Sequence, residues 1–503
     1  MLIKALLLIA FIAVTVIIGV LCRKHSTNVG GFVLGGRSVG PWLTAFAYGT
    51  SYFSAVIFIG YAGQFGWKFG VASTWIGIGN AIIGSLVAWV VLGRRTRAMT
   101  QHYSSSTMPD FFGKRYSSSA LKIAAAIIVF VFLVPYTASL YNGLSRLFEM
   151  AFSVDYIVCI VAMAILTCIY VVAGGYMATA INDFIQGIIM LVGIVAVVLA
   201  VVNSNGGFAE AFGSLADISA DGVPQGSLVS PLGPDPFNLI AVIILTSLGT
   251  WGLPQMVGKF YAIKDTGAIK KGTIVSTVFA LIVAGGCYFL GGFGRLYADS
   301  IPVSDGGAII FDAIIPTMLK GLPDVLIAFI VILVLSASMS TLSSLVLTSS
   351  STLTLDLIKP ATKNRLKDKK QLLVMRLLVV FFVLISAVIA VLQYKYNFAF
   401  IAQLMGLSWG ALAGAFLAPF LYGLYWKRTT KTSVWVSFGF GTVVMILNAV
   451  AKSIFPVWLQ SPINCGAFVM LASLIIVPIV SLLTPKPSDT DAISEAFDAI
   501  KAK

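Results

Sequence analysis

Apolar and polar positions alternate along this chain in long blocks, in which extended apolar runs are separated by short stretches that carry charge, glycine or proline. A helix needs roughly 20 apolar residues to cross the hydrocarbon core of a bilayer. Separate segments can span only as helices, because lipid offers no hydrogen-bond partner to a strand edge. The pattern predicts thirteen spans, at residues 2–21, 41–63, 70–92, 121–148, 154–174, 181–202, 238–258, 273–294, 324–353, 374–392, 398–424, 432–450 and 464–484.

The composition agrees with this pattern. Of 503 residues, 58% are hydrophobic and only 10% are charged, whereas a soluble domain carries about 25% charged residues. The chain is therefore predicted to be an all-α polytopic membrane protein. Residues 1–485 are expected to form a single transmembrane domain, and residues 486–503 a short cytoplasmic tail.

The charge distribution predicts how the chain is oriented. Loops that follow odd-numbered spans hold most of the basic residues, above all the stretches 94–122 and 359–376. The long loop 203–237 follows the sixth span, has no lysine or arginine, and contains Glu210, Asp217, Asp221 and Asp235. Basic loops stay in the cytoplasm, so we expect the N-terminus outside and the C-terminus inside. The net charge of +14 then needs no nucleic-acid partner.

Several kinds of chemistry are disfavoured. The five cysteines form no C-x-x-C pair, and the only histidines are His25 and His102, which lie in polar loops. The stretch 252–260 resembles a phosphate-binding loop, but its spacing is one residue too long. We expect neither an enzyme nor an ATP-driven pump, so any transport must draw on another source of energy.

Two predicted spans are interrupted by small and polar residues. The span 41–63 contains Gly49, Thr50 and Ser51, and the span 238–258 contains Gly252 and Pro254. Such residues also serve ordinary helix packing. However, these spans are the second and the seventh, which are five apart, and matching broken helices in two halves indicate a transporter binding site.

The positions of these breaks predict an internal repeat. We expect a five-plus-five inverted repeat with halves at about 41–202 and 238–424. An extra N-terminal helix at 1–30 and two C-terminal helices at 432–484 would flank it.

The span 324–353 carries six hydroxyl side chains within residues 336–344. A single serine or threonine can bond to its own helix, but that does not account for the cluster. Ser340, Ser343 and Ser344 share one helix face, and oxygen ligands suit a hard cation. Asp183 would add a negative charge, which at membrane depth is a functional-site hypothesis. The alternative is that Asp183 caps its helix at the inner interface.

Several stretches in order along the chain carry a family resemblance, namely 32–37, 108–116, 145–149, 174–176, 182–186, 339–343 and 424–428. Through them the chain resembles the sodium:solute symporter family, and its segments look closest to proline and pantothenate carriers. The resemblance implies a LeuT-like core built from spans two to eleven. It also implies that sodium drives uptake of an amino acid, a small carboxylate or a vitamin-like solute. We further expect a monomer in the plasma (inner) membrane, and the absence of an N-x-S/T glycosylation acceptor favours a prokaryotic source.

The resemblance also implies which residues bind sodium. A first site would use the backbone carbonyls of Thr50, Phe53 and Ala337 with the hydroxyls of Ser340 and Thr341. A second site, present in some members, would use Asp183, Ser340, Ser343 and Ser344. One or two sodium ions per cycle are therefore expected.

The substrate is expected near mid-membrane, between the two broken helices and the fourth and eleventh spans. The candidate lining residues are Tyr52, Ser54, Tyr136, Thr246, Thr250, Trp251 and Gln403. Thr246 and Thr250 stand where proline carriers of the family have aromatic residues, which favours a more polar pocket. The alternatives are a proton-coupled symporter of the same fold, a channel, or a non-transporting membrane sensor.

Overall fold

The computed structural model describes residues 2–220, 222–304, 306–363, 365–396, 400–488 and 490–501. Asp221 of the acidic loop and the first two residues of the predicted span 398–424 lie outside the described residues. Helices make up nearly all of this part, and it contains no strand, only three isolated bridges.

The principal helices are α1 Leu2–Leu21, α2 Pro41–Tyr52, α3 Val56–His102, α4 Ser119–Phe152, α5 Tyr156–Ser204, α6 Pro236–Gly252, α7 Pro254–Ala262, α8 Thr266–Gly291, α9 Asp324–Ala361, α10 Asp368–Tyr396, α11 Ile401–Tyr425, α12 Lys431–Val450, α13 Pro462–Leu483 and α14 Thr490–Lys501. Within the described part, ten helices are long and apolar enough to cross a membrane. The number is up to eleven when α6 and α7, which meet at 46°, count as one span.

This count is lower than the thirteen predicted spans because some neighbouring spans run together. The predicted spans 154–174 and 181–202 form the single 49-residue helix α5. That helix is interrupted at Gly175, whose φ of +57° and ψ of −156° are not helical. A Cβ atom at Gly175 would lie 2.8 Å from the ring of Phe32. Glycine therefore suits this position both for its positive φ and for the lack of space.

The helices differ in how deeply they are buried. The most apolar windows of α9 and α11 are 78% and 89% buried, whereas those of α1 and α10 are 17% and 33% buried. Helix α9 packs against α2, α4 and α5, and α11 packs against α4, α6 and α13. Helices α9 and α11 therefore form the centre of the fold, and α1 and α10 lie on its periphery.

Glycine pairs allow α3 and α8 to approach backbone to backbone. A Cβ atom at Gly66 would lie 2.0 Å from the carbonyl group of Gly291. Small residues at helix contacts in membranes permit this close packing. The contact holds α3, which follows the first helix break, against α8.

We expect Gly66→Ala to destabilise the protein by about 1–3 kcal/mol, the usual cost of forcing extra volume into a packed core. Thermal unfolding of the detergent-purified protein should show a melting temperature several degrees lower. Gly439→Ala in α12 is the matched control, because nothing lies within 4 Å of a Cβ atom there. Equal melting temperatures for the two variants would contradict this account of the α3–α8 contact.

Candidate functional site

The first feature of the site is a break between α2 and α3. Phe53 is extended, with φ −106° and ψ 128°, and its N–H turns back to the carbonyl of Thr50 at 3.3 Å. The N–H of Ala55 donates to the hydroxyl of Ser338 in α9 at 3.0 Å. Because these N–H groups do not continue the regular helical ladder, backbone carbonyls at the end of α2 are left without their usual partners.

These carbonyls converge on Thr341 of α9. Its Oγ1 lies 3.3, 3.4 and 3.2 Å from the carbonyl oxygens of Thr50, Ser51 and Phe53, and 3.2 Å from that of Ala337. A hydroxyl has one proton and can satisfy only one of them. Oxygen ligands grouped in this way are the type that a hard cation prefers.

The structure therefore brings four of the five first-site residues together, and it adds the carbonyl of Ser51. Ser340 lies at the edge of the group. Its hydroxyl donates to Oγ1 of Thr50 at 2.7 Å, and Thr50 in turn donates to the carbonyl of Phe46 at 2.8 Å.

A second cluster lies beside the first. Asp183 in α5 is fully buried, and its carboxylate oxygens make no hydrogen bond of standard geometry among the described residues, although the Ser340 hydroxyl lies close enough to interact with them. The nearest cation is Lys259 of α7, whose Nζ lies 3.9 Å from Oδ2 of Asp183 and donates to Oγ of Ser344 at 2.9 Å. The hydroxyl of Ser343 donates to the carbonyl of Ser340 at 2.8 Å.

Sequence reasoning missed Lys259. The predicted seventh span ends at residue 258, which left the lysine outside the membrane by one position. In the structure the helix continues to Ala262 after a break at Leu253, and Lys259 is only 3% exposed. The apolar residues 260–263, which follow this single lysine, were the sequence feature that could have indicated that the helix continues past it.

Three candidate substrate residues, Tyr52, Ser54 and Tyr136, lie near the break after α2. Trp409 of α11 lies with them, although the sequence did not indicate it. The ring of Tyr52 stacks on Trp409 of α11 at 6.0 Å, and the ring of Tyr136 meets Trp409 edge-on at 5.8 Å. Among the described residues, the hydroxyls of Ser54 and Tyr136 and the indole N–H of Trp409 make no hydrogen bond of standard geometry, but Tyr136 lies close enough to Ser54 and Trp409 to interact with both. Buried polar groups usually have well-formed partners, so this group of three is a candidate to bind a ligand.

Three other candidates tie α6 to α3. The hydroxyl of Thr246 donates to Oδ1 of Asn80 at 2.8 Å, that of Thr250 contacts the carbonyl of Gly84 at 3.1 Å, and the indole of Trp251 donates to the carbonyl of Ile83 at 3.0 Å. The backbone of Thr246 still meets the substrate candidates, because Tyr52 donates to its carbonyl at 2.8 Å. The side chains of Thr250 and Trp251 bond to α3.

Gln403 lies apart from this group, in the first turn of α11. Its Oε1 accepts from the N–H of Phe400 at 3.1 Å, and Oδ2 of Asp312 accepts from the N–H of Ile401 at 3.3 Å. Both side chains therefore cap the start of the helix. Burial raises the pKa of Asp312 to about 6, against the opposing effects of the Ile401 N–H and the charge of Arg146.

Comparison with known proteins gives three findings. The sequence pattern of the sodium:solute symporter family matches residues 32–441. The osmoregulated proline transporter OpuE of Bacillus subtilis (strain 168) is 31% identical over 496 residues, which is 95% of this chain and 94% of that protein. The sodium/proline symporter of Staphylococcus aureus (strain JH9) is 28% identical over 527 residues, which is 99% of this chain and 96% of that protein.

A solved structure has the same fold. The Na+-coupled sialic acid symporter, in a substrate-bound outward-open state, matches with a TM-score of 0.76 at 16% identity. The match covers 96% of this chain and 98% of that one.

The raised pKa of Asp312 gives a pH prediction. The folded protein holds this proton more tightly than the unfolded chain, so the contribution to stability is fully present below about pH 4 and is lost as the pH rises through about 6. We expect Asp312→Asn to flatten the fall in melting temperature across this range. Identical pH profiles for the variant and the parent would contradict the assignment.

Proposed function

The chain belongs to the sodium:solute symporter family, and from this premise we propose that it carries a small amino-acid-like solute into the cell together with sodium. The single observation that carries the proposal is the convergence of the carbonyls at the α2 break on Thr341 of α9. The protein is a membrane transporter and not an enzyme. Proton coupling within the same fold is the alternative, and the first experiment below separates the two.

The sodium ion binds among the carbonyls of Thr50, Phe53 and Ala337 and the hydroxyl of Thr341. The hydroxyl of Ser340 completes the set by turning from its bond with Thr50. Because the ligands come from both sides of one contact, the ion holds the α2 break against α9. Sodium favours the outward-open state, the solute closes the outer gate, and inward opening separates the two helices and releases the ion.

One such ion supplies enough energy to concentrate a solute. A charge that falls through 100 mV releases about 2.3 kcal/mol, and a tenfold gradient adds about 1.4 kcal/mol. The sum, about 3.7 kcal/mol, supports between two and three decades of accumulation of a neutral solute. Whether one or two ions are coupled depends on the second cluster, which contains Asp183, Lys259, Ser343 and Ser344.

The solute lies beside the break, between Tyr52, Tyr136 and Trp409. Its carboxylate faces the hydroxyl of Ser54 at the start of the next helical segment, where the helix dipole favours negative charge. Proline is the first candidate, since two relatives are named as proline transporters. Trp409 of α11 supplies the aromatic wall of the solute pocket. Thr246 and Thr250 of α6 are not aromatic and cannot supply it.

The number of membrane crossings follows from helix length. Helix α5 has 49 residues, which at 1.5 Å per residue is about 74 Å, more than twice the hydrocarbon thickness. Division at Gly175 makes it two crossings, and α3 divides similarly at Gly70, which has φ +59°. The proposal is thus thirteen crossings in the inner membrane of a bacterium, with the N-terminus outside and the C-terminus inside. We also propose that residues 41–202 and 238–424, approximately, form the two halves of an inverted repeat.

A thermal-shift screen tests the function first. Proline, other small amino acids, small carboxylates and vitamins are each added to the purified protein in sodium and in potassium chloride. A ligand at about 100 times its Kd stabilises a protein by about 2.7 kcal/mol. We expect proline or a close analogue to stabilise the protein in sodium alone. Equal shifts in both salts would contradict sodium coupling and point to protons.

A pair of threonine variants tests the ion site. In Thr341→Ala the convergent carbonyls lose their hydroxyl partner, so the sodium concentration for half-maximal stabilisation should rise at least tenfold. Thr354→Ala is the matched control, because Thr354 is equally buried in α9 and bonds only to the carbonyl of Ser350 in its own helix. The assignment fails if both variants keep the sodium dependence of the parent.

A further inference from the structure

The second cluster already contains a cation, which belongs to the chain. Lys259 is buried in α7, and its Nζ donates to Oγ of Ser344 at 2.9 Å and lies 3.9 Å from Oδ2 of Asp183. The same Nζ lies 5.3 Å from the centre of the Tyr176 ring, whose face attracts positive charge. A carboxylate, a hydroxyl and an aromatic face thus surround one ammonium group.

The charge balance of this cluster leaves no place for a second ion. Buried charges must be compensated, because taking them out of water is costly. Within the described residues, the one ion pair that Asp183 makes is with Lys259. One carboxylate neutralises one cation, so a sodium ion added to the lysine would leave a net positive charge in the interior of the protein.

The cluster around Lys259 is also bordered on one side by a cleft large enough for water or a small ion. A small cleft of about 50 Å³ is lined in part by Lys259, Ser344 and Tyr176. It also touches Ser106 and Thr107, which lie in the basic stretch 94–122. The lysine therefore lines a cleft that a small mobile cation could otherwise enter.

We propose that the Lys259 ammonium is a tethered cation that takes the place of a second sodium ion, so that this chain binds one sodium ion per transport cycle. The inference rests on the sodium coupling proposed above. A covalently held charge neutralises Asp183 and donates to Ser344, but it cannot be transported. Sodium binding by this chain should therefore follow the concentration dependence of a single site.

The two clusters are joined through Ser51. Its hydroxyl lies 2.8 Å from Oγ of Ser344, and its carbonyl lies 3.4 Å from Oγ1 of Thr341. Lys259 thus positions Ser344, which positions the α2 break at the first site. The tethered charge keeps this arrangement in place during the cycle without a second ion.

Binding of ²²Na+ to the purified full-length protein tests the proposal without knowledge of the solute. We expect one ion per chain for the parent and for Lys259→Arg, which keeps the charge. Lys259→Gln leaves Asp183, Ser343 and Ser344 free for an ion, so it should bind two. The double variant Lys259→Gln with Asp183→Asn removes both charges and should return to one.

Two results would overturn the proposal: two ions bound by the parent chain, or one ion bound by a folded Lys259→Gln protein. If Lys259→Gln does not fold, as judged by size-exclusion chromatography, Lys259→Met, which also removes the charge beside an intact Asp183, is counted in its place. Absence of any sodium binding by the parent would instead contradict the sodium coupling itself. The two failures are therefore distinguishable.

Discussion

The structure depends on how the backbone groups released at the α2 break are satisfied away from water. A buried polar group without a partner costs on the order of several kcal/mol in a medium that cannot hydrogen-bond. Helix α9 supplies the partners, because Ser338 accepts the N–H of Ala55 and Thr341 faces the freed carbonyls. These partners are short hydroxyls, so the two backbones must lie close together. This requirement explains why a helix rich in serine lies at the centre of an apolar fold.

The second constraint is the charge of Asp183, which is buried in α5. The break in the seventh span is what brings a cation to it, since α7 begins at Pro254 in a new direction and carries Lys259 inward. Both broken helices therefore serve the same region. One exposes carbonyl oxygens and the other delivers an ammonium group, and the Ser51–Ser344 contact joins them.

Much of this arrangement could be predicted from the sequence, because breaks and hydroxyl clusters are local patterns. Small and polar residues marked the first interruption, glycine and proline marked the second, and Thr341 was assigned through the family resemblance of the 339–343 stretch. Lys259 was missed because the end of a span is uncertain by a few residues, and one position decided whether the lysine was inside. Trp409 was missed because a sequence does not show how an almost uniformly apolar helix is rotated about its axis.

The bonds that hold α2 to α9 are individually weak, and this property suits a transporter. A hydrogen bond within a protein contributes about 0.5–1.5 kcal/mol net, and the carbonyls around Thr341 compete for a single proton. Such a contact can open at modest cost when the ion is absent. A cation bound as proposed would attract all of the carbonyls at once, so it would stabilise the closed contact far more than the open one. Only such a difference in affinity between two states can shift their populations. Under the proposed coupling, the competition of several carbonyls for one proton at Thr341 is what would let sodium shift the equilibrium of this contact.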